Sequence, residues 1–385
     1  MDNGLPTTPH ALIERPRVHG KFLVRGSEKL YVRGVTYGTF APDLDGVTFP
    51  APNVVAADFA RMAALGANAV RTYDVPPPWL LDLAAANSLS VAVGIPWQEH
   101  VAFLDDRTLV RSIEHRVRDA VRACQAHPAI LLYAVGNEIP ASIVRWHGRR
   151  RVATFLQRLY EAAKEEDPSG LVTYVNYPST EYLQPSFVDL ACVNLYLEDE
   201  GRFEDYVARL HNVVCDKPLV IAELGLDSRR HGEARQAELI ERQIAAAFGG
   251  GAAGVFVFAW TDQWYRGGLD IDDWDFGLTT SDRSPKLALD AARHSFSEVP
   301  YVRDRDWPRV SVVVCTHNGG RTLRDCCEGL LGLEYPDVEV IVVDDGSTDD
   351  SAAIVGEFSF RLVRTPNQGL ARARNVGLAE ATGEF

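Results

Sequence analysis

The sequence predicts an α/β chain: a (β/α)8 barrel followed by a shorter, Rossmann-like series. Three observations support this. Eight short apolar runs alternate with amphipathic stretches between residues 21 and 297. The runs are continuously apolar, as parallel strands buried on both faces require. And each run ends beside polar or aromatic residues that suit a ligand-facing mouth.

The strand candidates are residues 31–36, 69–72, 91–95, 130–135, 171–175, 190–194, 219–222 and 255–258. Helical stretches separate them, at 54–65, 79–86, 109–126, 151–166, 203–214 and 234–247. A doubly wound open sheet gives a similar alternation, so the polar residues must decide. Tyr37, Arg71-Thr72-Tyr73-Asp74, Trp97, Asn137-Glu138, Asn176-Tyr177, Asn194-Leu195-Tyr196, Glu223 and Trp260 follow the eight runs. In a barrel these strand ends converge on one mouth; in an open sheet they spread along an edge.

The domain reading is an N-terminal extension over 1–20, the barrel over 21–297, a charged and proline-bounded linker over 298–309, and an incomplete second domain over 310–385. The last shows strands at 310–315, 338–343 and 361–363 alternating with helices at 321–333, 351–358 and 369–380. No internal repeat or low-complexity tract is visible.

Composition narrows the function. Among 385 residues, 53 Asp and Glu against 39 Lys and Arg leave a net charge of −14, which argues against nucleic acid or an anionic membrane as partner. The run Arg149-Arg150-Arg151 opens a helical stretch and reads as a solvated face. Six scattered cysteines have neither metal-ligand spacing nor a disulfide framework, so a reducing, cytoplasmic setting is expected. The first twenty residues lack the apolar core of a signal peptide, and no run approaches the ~20 apolar residues of a membrane span. The acidic run DIDDWD at 270–275 lacks the glycine and spacing of an EF-hand loop and reads as solvated. No cofactor and no metal are expected.

Two carboxyl groups flanking an anomeric carbon are the minimum for cleaving a glycosidic bond. Glu138 and Glu223 each follow a β-rich run, the fourth and the seventh, on opposite sides of the proposed mouth. The surrounding residues carry a resemblance. HPAILLYAVGNE at 127–138 resembles the acid/base segment of clan-A glycosidases of family 2 type, and VIAELG at 220–225 resembles their nucleophile strand. FLVRG at 22–26 and YVRGV at 31–35 are similar to the entry of the same TIM barrel domain, and NAVRTY at 68–73 is similar to its second strand.

The resemblance implies a retaining β-glycoside hydrolase or transglycosylase acting on a β-glucan-like oligo- or polysaccharide. It implies Glu138 as acid/base and Glu223 as nucleophile. Asn137 would hydrogen-bond the sugar 2-hydroxyl, Arg71 would keep Glu223 ionised, and Tyr196 would bond the nucleophile. Trp260 would face the sugar ring, with Trp97, Trp264 and Tyr37 extending that surface and Asn176 as a further substrate contact. Asp74 stands where the family often has His, which opens the question of specificity, and the usual flanking β-sandwich domains are not expected here. The alternatives are a non-catalytic carbohydrate-binding barrel, or nucleotide-sugar transfer by the C-terminal domain of a full-length protein.

VSVVVCTHNG at 310–319, VIVVDDGSTD at 340–349 and NQGLARARN at 367–375 resemble the start of family 2 glycosyltransferases of the GT-A fold. That resemblance implies a nucleotide-binding role for Asp344 and Asp345. The family's metal-binding DxD would fall just beyond 381–385, so this segment is expected to be inactive by itself. The reading is a truncated hydrolase–transferase fusion whose partner is the rest of the transferase.

Overall fold

The computed structural model describes residues 14–301 and 306–385. They form two compact units, divided after Tyr301. Most of the expected extension and part of the expected linker lie outside the described residues.

The first unit opens with a small antiparallel sheet of β1 (Arg17–His19), β2 (Phe22–Arg25) and β3 (Glu28–Lys29). Arg17 pairs with Val24, so ordered structure begins four residues before the expected boundary at Lys21. Eight parallel strands then close into a barrel: β4 (Val32–Thr36), β5 (Ala69–Thr72), β6 (Ser90–Gly94), β7 (Ile130–Asn137), β8 (Val172–Asn176), β9 (Ala191–Asn194), β10 (Leu219–Leu224) and β11 (Gly254–Val257), with β11 returning to β4. A hairpin of β12 (Trp264–Arg266) and β13 (Leu269–Ile271) follows the last of them.

The outer layer comprises α1 (Pro52–Ala64), α2 (Pro78–Ala86), α3 (Arg107–Cys124), α4 (Ala141–His147), α5 (Arg149–Glu166), α6 (Glu200–Val214), α7 (Ser228–His231), α8 (Glu233–Gly249) and α9 (Leu287–Ser297). Local chemistry sets their starts. Proline stands in the first turn of α1 and α2, where its missing N–H costs nothing. Asp106 caps α3 by accepting from the amides of Thr108 and Leu109, and Asp199 caps α6. The helix α9, which the sequence pattern did not single out, packs against α8 and completes the layer.

The core divides by strand parity. Val70, Val93, Tyr133, Val135, Val193, Ile221 and Val257 belong to one cluster with helix residues such as Phe59, Val117 and Phe155. Ala69, Ala92, Leu132, Cys192, Val220, Ala222 and Phe256 form a second cluster without them, which fills the barrel interior. Each buried Val, Ile or Leu contributes about 1.5–3 kcal/mol. Every inward residue at the C-terminal end of a strand can therefore reach the mouth, and every outward one meets a helix.

The second unit has β14 (Val310–Thr316), α10 (Gly320–Leu331), β15 (Val338–Asp345), α11 (Ser351–Val355), β16 (Arg361–Thr365) and α12 (Leu370–Glu380), with a parallel sheet in the order β14-β15-β16. Val340, Val342, Leu323 and Cys327 fill one face of that sheet. Among the described residues no helix is long and apolar enough to cross a membrane.

Candidate active site

The C-terminal mouth of the barrel opens into a cavity of about 970 Å³. Two irregular strands aim its central carboxylates. The pairing of β7 with β8 shifts between Ala134 and Asn137, and Glu138 follows with φ at 49° and its amide bonded to the Val175 carbonyl. A left-handed non-glycine residue is uncommon and clusters at functional sites. The pairing of β10 with β9 shifts between Ile221 and Glu223, a bulge of the kind that re-aims a side chain at a barrel rim.

Glu223 is 5 % exposed and surrounded by donors. Arg71 Nη1 lies 2.5 Å from its Oε1, Asn194 Nδ2 donates to the same oxygen at 2.8 Å, and so does the Tyr73 hydroxyl. Tyr196 donates to Oε2 at 2.8 Å. Arg71 also donates to Asn137 Oδ1 at 2.9 Å. Burial alone would lower the pKa of Arg71, but the neighbouring Tyr73 and Glu223 raise it instead, so it is a fixed cation.

The Asn194 nitrogen that bonds Glu223 also donates to Glu138 Oε1 at 2.8 Å. Burial, and then the charge of Glu223, push the Glu138 carboxyl up to about 6, against the opposing Asn194 hydrogen bond and the charges of Arg71 and Arg266. A second acid in the cavity, Glu99, is pushed up to about 7 by burial. Backbone amides and Arg266 work against that rise.

The expected aromatic surface is differently built. Trp264 lines the cavity together with Phe258, Trp274 and Phe276. Phe258 and Trp264 meet edge to face at 4.8 Å, and Trp264 and Trp274 at 5.8 Å. Trp260 is fully buried under Arg61 of α1, because β11 ends at Val257 and the alternation stops there. Tyr37 lies on the outward parity of Val35, packs on Phe59 and donates to Asp58 at 2.8 Å. Trp97 is held in the helix layer by its bond to the Val135 carbonyl at 2.9 Å and by Phe103. Asn176 latches its own loop, donating to the carbonyls of Thr180 and Leu183. The expectation that these four face the sugar is corrected accordingly: none of them lines the cavity.

Of the site residues expected from the sequence, the mouth brings together Arg71, Asn137, Glu138, Tyr196, Glu223 and Trp264. It adds Tyr73 to the cavity wall and Asn194 just beneath. The run read as a solvated loop supplies Asp273 and Trp274 to the wall. The hairpin above them is firmly rooted. Lys286 Nζ bonds both Asp262 oxygens at 3.0 and 3.1 Å, and Arg283 donates to Gln263 at 2.7 Å.

In the second unit, Asp345 accepts from Thr365 Oγ1 at 3.1 Å and from the amides of Gln368 and Gly369 at 3.0 and 2.7 Å. These bonds tie β15 to the start of α12. Asp344 Oδ1 accepts from the Ser347 amide at 2.8 Å, while among the described residues Oδ2 has no hydrogen bond and pairs with the Arg364 guanidinium at 3.3 Å.

Fold and site define a clan-A glycoside hydrolase barrel joined to the start of a GT-A glycosyltransferase. The chain belongs to glycosyl hydrolase family 2: residues 17–301 match its TIM barrel domain, and residues 311–385 match glycosyl transferase family 2. Similar solved structures include a GH2 β-galacturonidase from Eisenbergiella tayi bound to galacturonate, with TM-score 0.63, 20 % identity, and 74 % of this chain aligned to 54 % of that one. A β-glucuronidase from Faecalibacterium prausnitzii gives TM-score 0.62, 23 % identity, 74 % and 52 %. Curated relatives include glycosyltransferases that match about a fifth of the chain. Glycosyltransferase GlyG of Streptococcus pneumoniae is 40 % identical over 82 residues, 20 % of this chain and 27 % of that protein. A poly-β-1,6-N-acetyl-D-glucosamine synthase of Staphylococcus epidermidis is 36 % identical over 81 residues, 20 % of each. The chain thus spans about a quarter of these relatives and about half of the similar structures.

Proposed function

We propose that the barrel is a retaining β-glycosidase, with Glu138 as acid/base and Glu223 as nucleophile, acting by hydrolysis or transglycosylation. The carrying observation is the single Asn194 nitrogen shared by the two carboxylates. With both contacts at 2.8 Å, the two Oε1 atoms can be no further apart than twice that distance. That bound on one oxygen pair favours the ~5–5.5 Å carboxyl spacing of retaining enzymes over the ~6.5–9.5 Å that an inverting enzyme needs for its water.

The roles follow from the surroundings. A Glu138 carboxyl raised to about 6 retains a usable proton near neutral pH and can give it to the leaving oxygen. Glu223, paired with Arg71, attacks the anomeric carbon as that bond opens. Water or a sugar hydroxyl then gives its proton to Glu138 and displaces Glu223, yielding hydrolysis or transfer. Asn137, its Oδ1 occupied by Arg71, presents its amide nitrogen to the 2-hydroxyl.

The cavity wall supports a neutral glycan. It carries seven carboxylates, from Asp74 to Asp273, against three arginines. One arginine serves Glu223 and another, Arg230, pairs with Asp227 at 3.2 Å. A uronate would add repulsion to that wall. The substrate proposed is therefore β-glucan-like. The test is a panel of β-1,2-, β-1,3-, β-1,4- and β-1,6-linked gluco-oligosaccharides, with aryl β-glucuronide for contrast and Glu223→Gln in parallel, read by mass spectrometry. Products that vanish in the variant support the reading. Glycan affinity without turnover in the wild type leaves a carbohydrate-binding barrel.

For the second unit we propose the nucleotide end of a transferase. Its Asp344 keeps an oxygen free of hydrogen bonds, whereas Asp345 is committed to the fold. Titration with a UDP-sugar and Mn²⁺ tests this: loss of binding in Asp344→Asn supports the role, and saturable transfer by this chain would overturn the expected inactivity.

A further inference from the structure

Tyr73 stands outside the expected machinery yet touches its centre. It follows Arg71 by two residues on the inward parity of β5, and its hydroxyl lies on Glu223 Oε1. Its position is over-determined. Arg71 donates to its hydroxyl at 3.1 Å and holds its guanidinium carbon 4.5 Å from the ring centroid. Trp264 of the hairpin meets the ring edge-on at 5.5 Å and 88°. The neighbouring strand makes room: a Cβ on Gly94 would sit 2.4 Å from the Thr72 carbonyl oxygen and 2.9 Å from the Tyr73 Cα. Burial pushes the phenol well above its ordinary range, so Tyr73 stays a neutral donor.

The donors on Glu223 are unevenly shared. Oε1 accepts from Arg71, Tyr73 and Asn194, more than its two lone pairs hold comfortably. Oε2 accepts from Tyr196 only, among the described residues. We propose that Tyr73 is a positioning residue for Glu223: it fixes Oε1 as the oxygen that stays behind and leaves Oε2 to bond the anomeric carbon. This rests on the reading of Glu223 as nucleophile.

The electron balance says which step Tyr73 serves. In the first step an Oε2 lone pair forms the C–O bond, the leaving oxygen departs with its electron pair, and Glu138 supplies the proton. Charge drains from the carboxylate, so a donor on Oε1 favours the starting state. In the second step water attacks the anomeric carbon, Glu138 takes its proton, and the C–Oε2 electrons return to Glu223. Charge builds on the carboxylate, and Oε1 receives part of it. A donor already aimed there stabilises that transition state without reorganisation. Tyr73 therefore speeds release of the sugar rather than its capture.

Two measurements on Tyr73→Phe test this, and the variant keeps the ring that Trp264 and Arg71 pack against. The first needs no substrate: crystal structures of wild type and variant. The carboxylate of Glu223 should rotate or split between two orientations in the variant. An unchanged carboxylate overturns the positioning role, even if turnover falls.

The second uses 2,4-dinitrophenyl β-D-glucoside and β-cellobioside. The steady-state rate should fall about 10- to 100-fold, the worth of one hydrogen bond to a charged group. A burst of about one equivalent of dinitrophenolate should appear, with the sugar found on Glu223 by intact mass. An equal loss in both steps, with no burst, overturns the inference. If wild type turns over neither probe, nor any glycan in the panel above, the glycosidase reading fails, and the crystal structures still decide whether Tyr73 positions Glu223.

Discussion

Asn194 holds Glu138 Oε1 at 2.8 Å with the same nitrogen that it gives to Glu223. That bond favours the ionised form of Glu138 and so restrains its raised pKa. Asn194→Ala should let the Glu138 pKa climb further, moving the alkaline limb of kcat/KM to higher pH. The limiting rate should fall by about tenfold or more, as for loss of a hydrogen bond to a charged group. A pH–rate profile of the variant checks both.

In the wild type the limb itself is set by the donor. As the proposed acid, Glu138 must carry its proton to act, and its carboxyl is pushed up to about 6, so kcat/KM should fall as pH rises through that value. Glu138→Gln should abolish the limb and cost most on substrates with poor leaving groups. Dinitrophenyl glycosides, which need little proton assistance, should be spared in their first step.

Glu223→Gln should cut turnover by at least about 10³-fold. It also leaves Arg71, 4 % exposed, without its counter-charge. Breaking one side of a buried pair costs about 3–5 kcal/mol. Denaturant unfolding of the variant should register that loss alongside the kinetics.

The root of the hairpin offers a test away from the chemistry. Lys286 is buried and Asp262 largely so, and Lys286→Met leaves the carboxylate without its cation. We expect about 3–5 kcal/mol of lost stability. We also expect KM to rise more than kcat falls, because Trp264 and Arg266 hang from that root.

Tyr37 and Trp264 separate core from cavity. Tyr37→Phe removes one donor from buried Asp58 and should cost about 1–3 kcal/mol without changing KM. Trp264→Ala removes a cavity wall and should raise KM. Melting curves and initial rates on the same two proteins tell them apart.

Why the sequence reached some of these residues and missed others comes down to parity and reach. Arg71 shares the inward face of Ala69, as Tyr196 continues the inward line of Cys192 and Asn194. Strand-end position and side-chain chemistry agree there. Tyr37 and Asn176 also end strands, but they follow Val35 and Tyr174, which face the helices. Counting back two residues would have shown it. Trp97 and Trp260 lie beyond the ends of β6 and β11, where no period applies. Trp274 was hidden in an acidic run that reads as solvated in one dimension. Tyr73 and Asn194 were in view beside named residues, but their bonds to Glu223 join strands 150 and 29 positions apart in the chain.

The hairpin tip has a consequence for how such pockets can diverge. Arg266 pairs with Leu269 across Gly267 and Gly268, whose φ angles of 62° and 89° make a two-residue turn with both centres left-handed. A loop that tight leaves no slack, so the overhang can grow or shrink only by whole rungs of about 3.4 Å. One rung presents its new tip residues to the opposite side, and only a pair of rungs, about 7 Å, restores the original facing. The reach of this overhang across the cavity is therefore set in discrete steps rather than continuously.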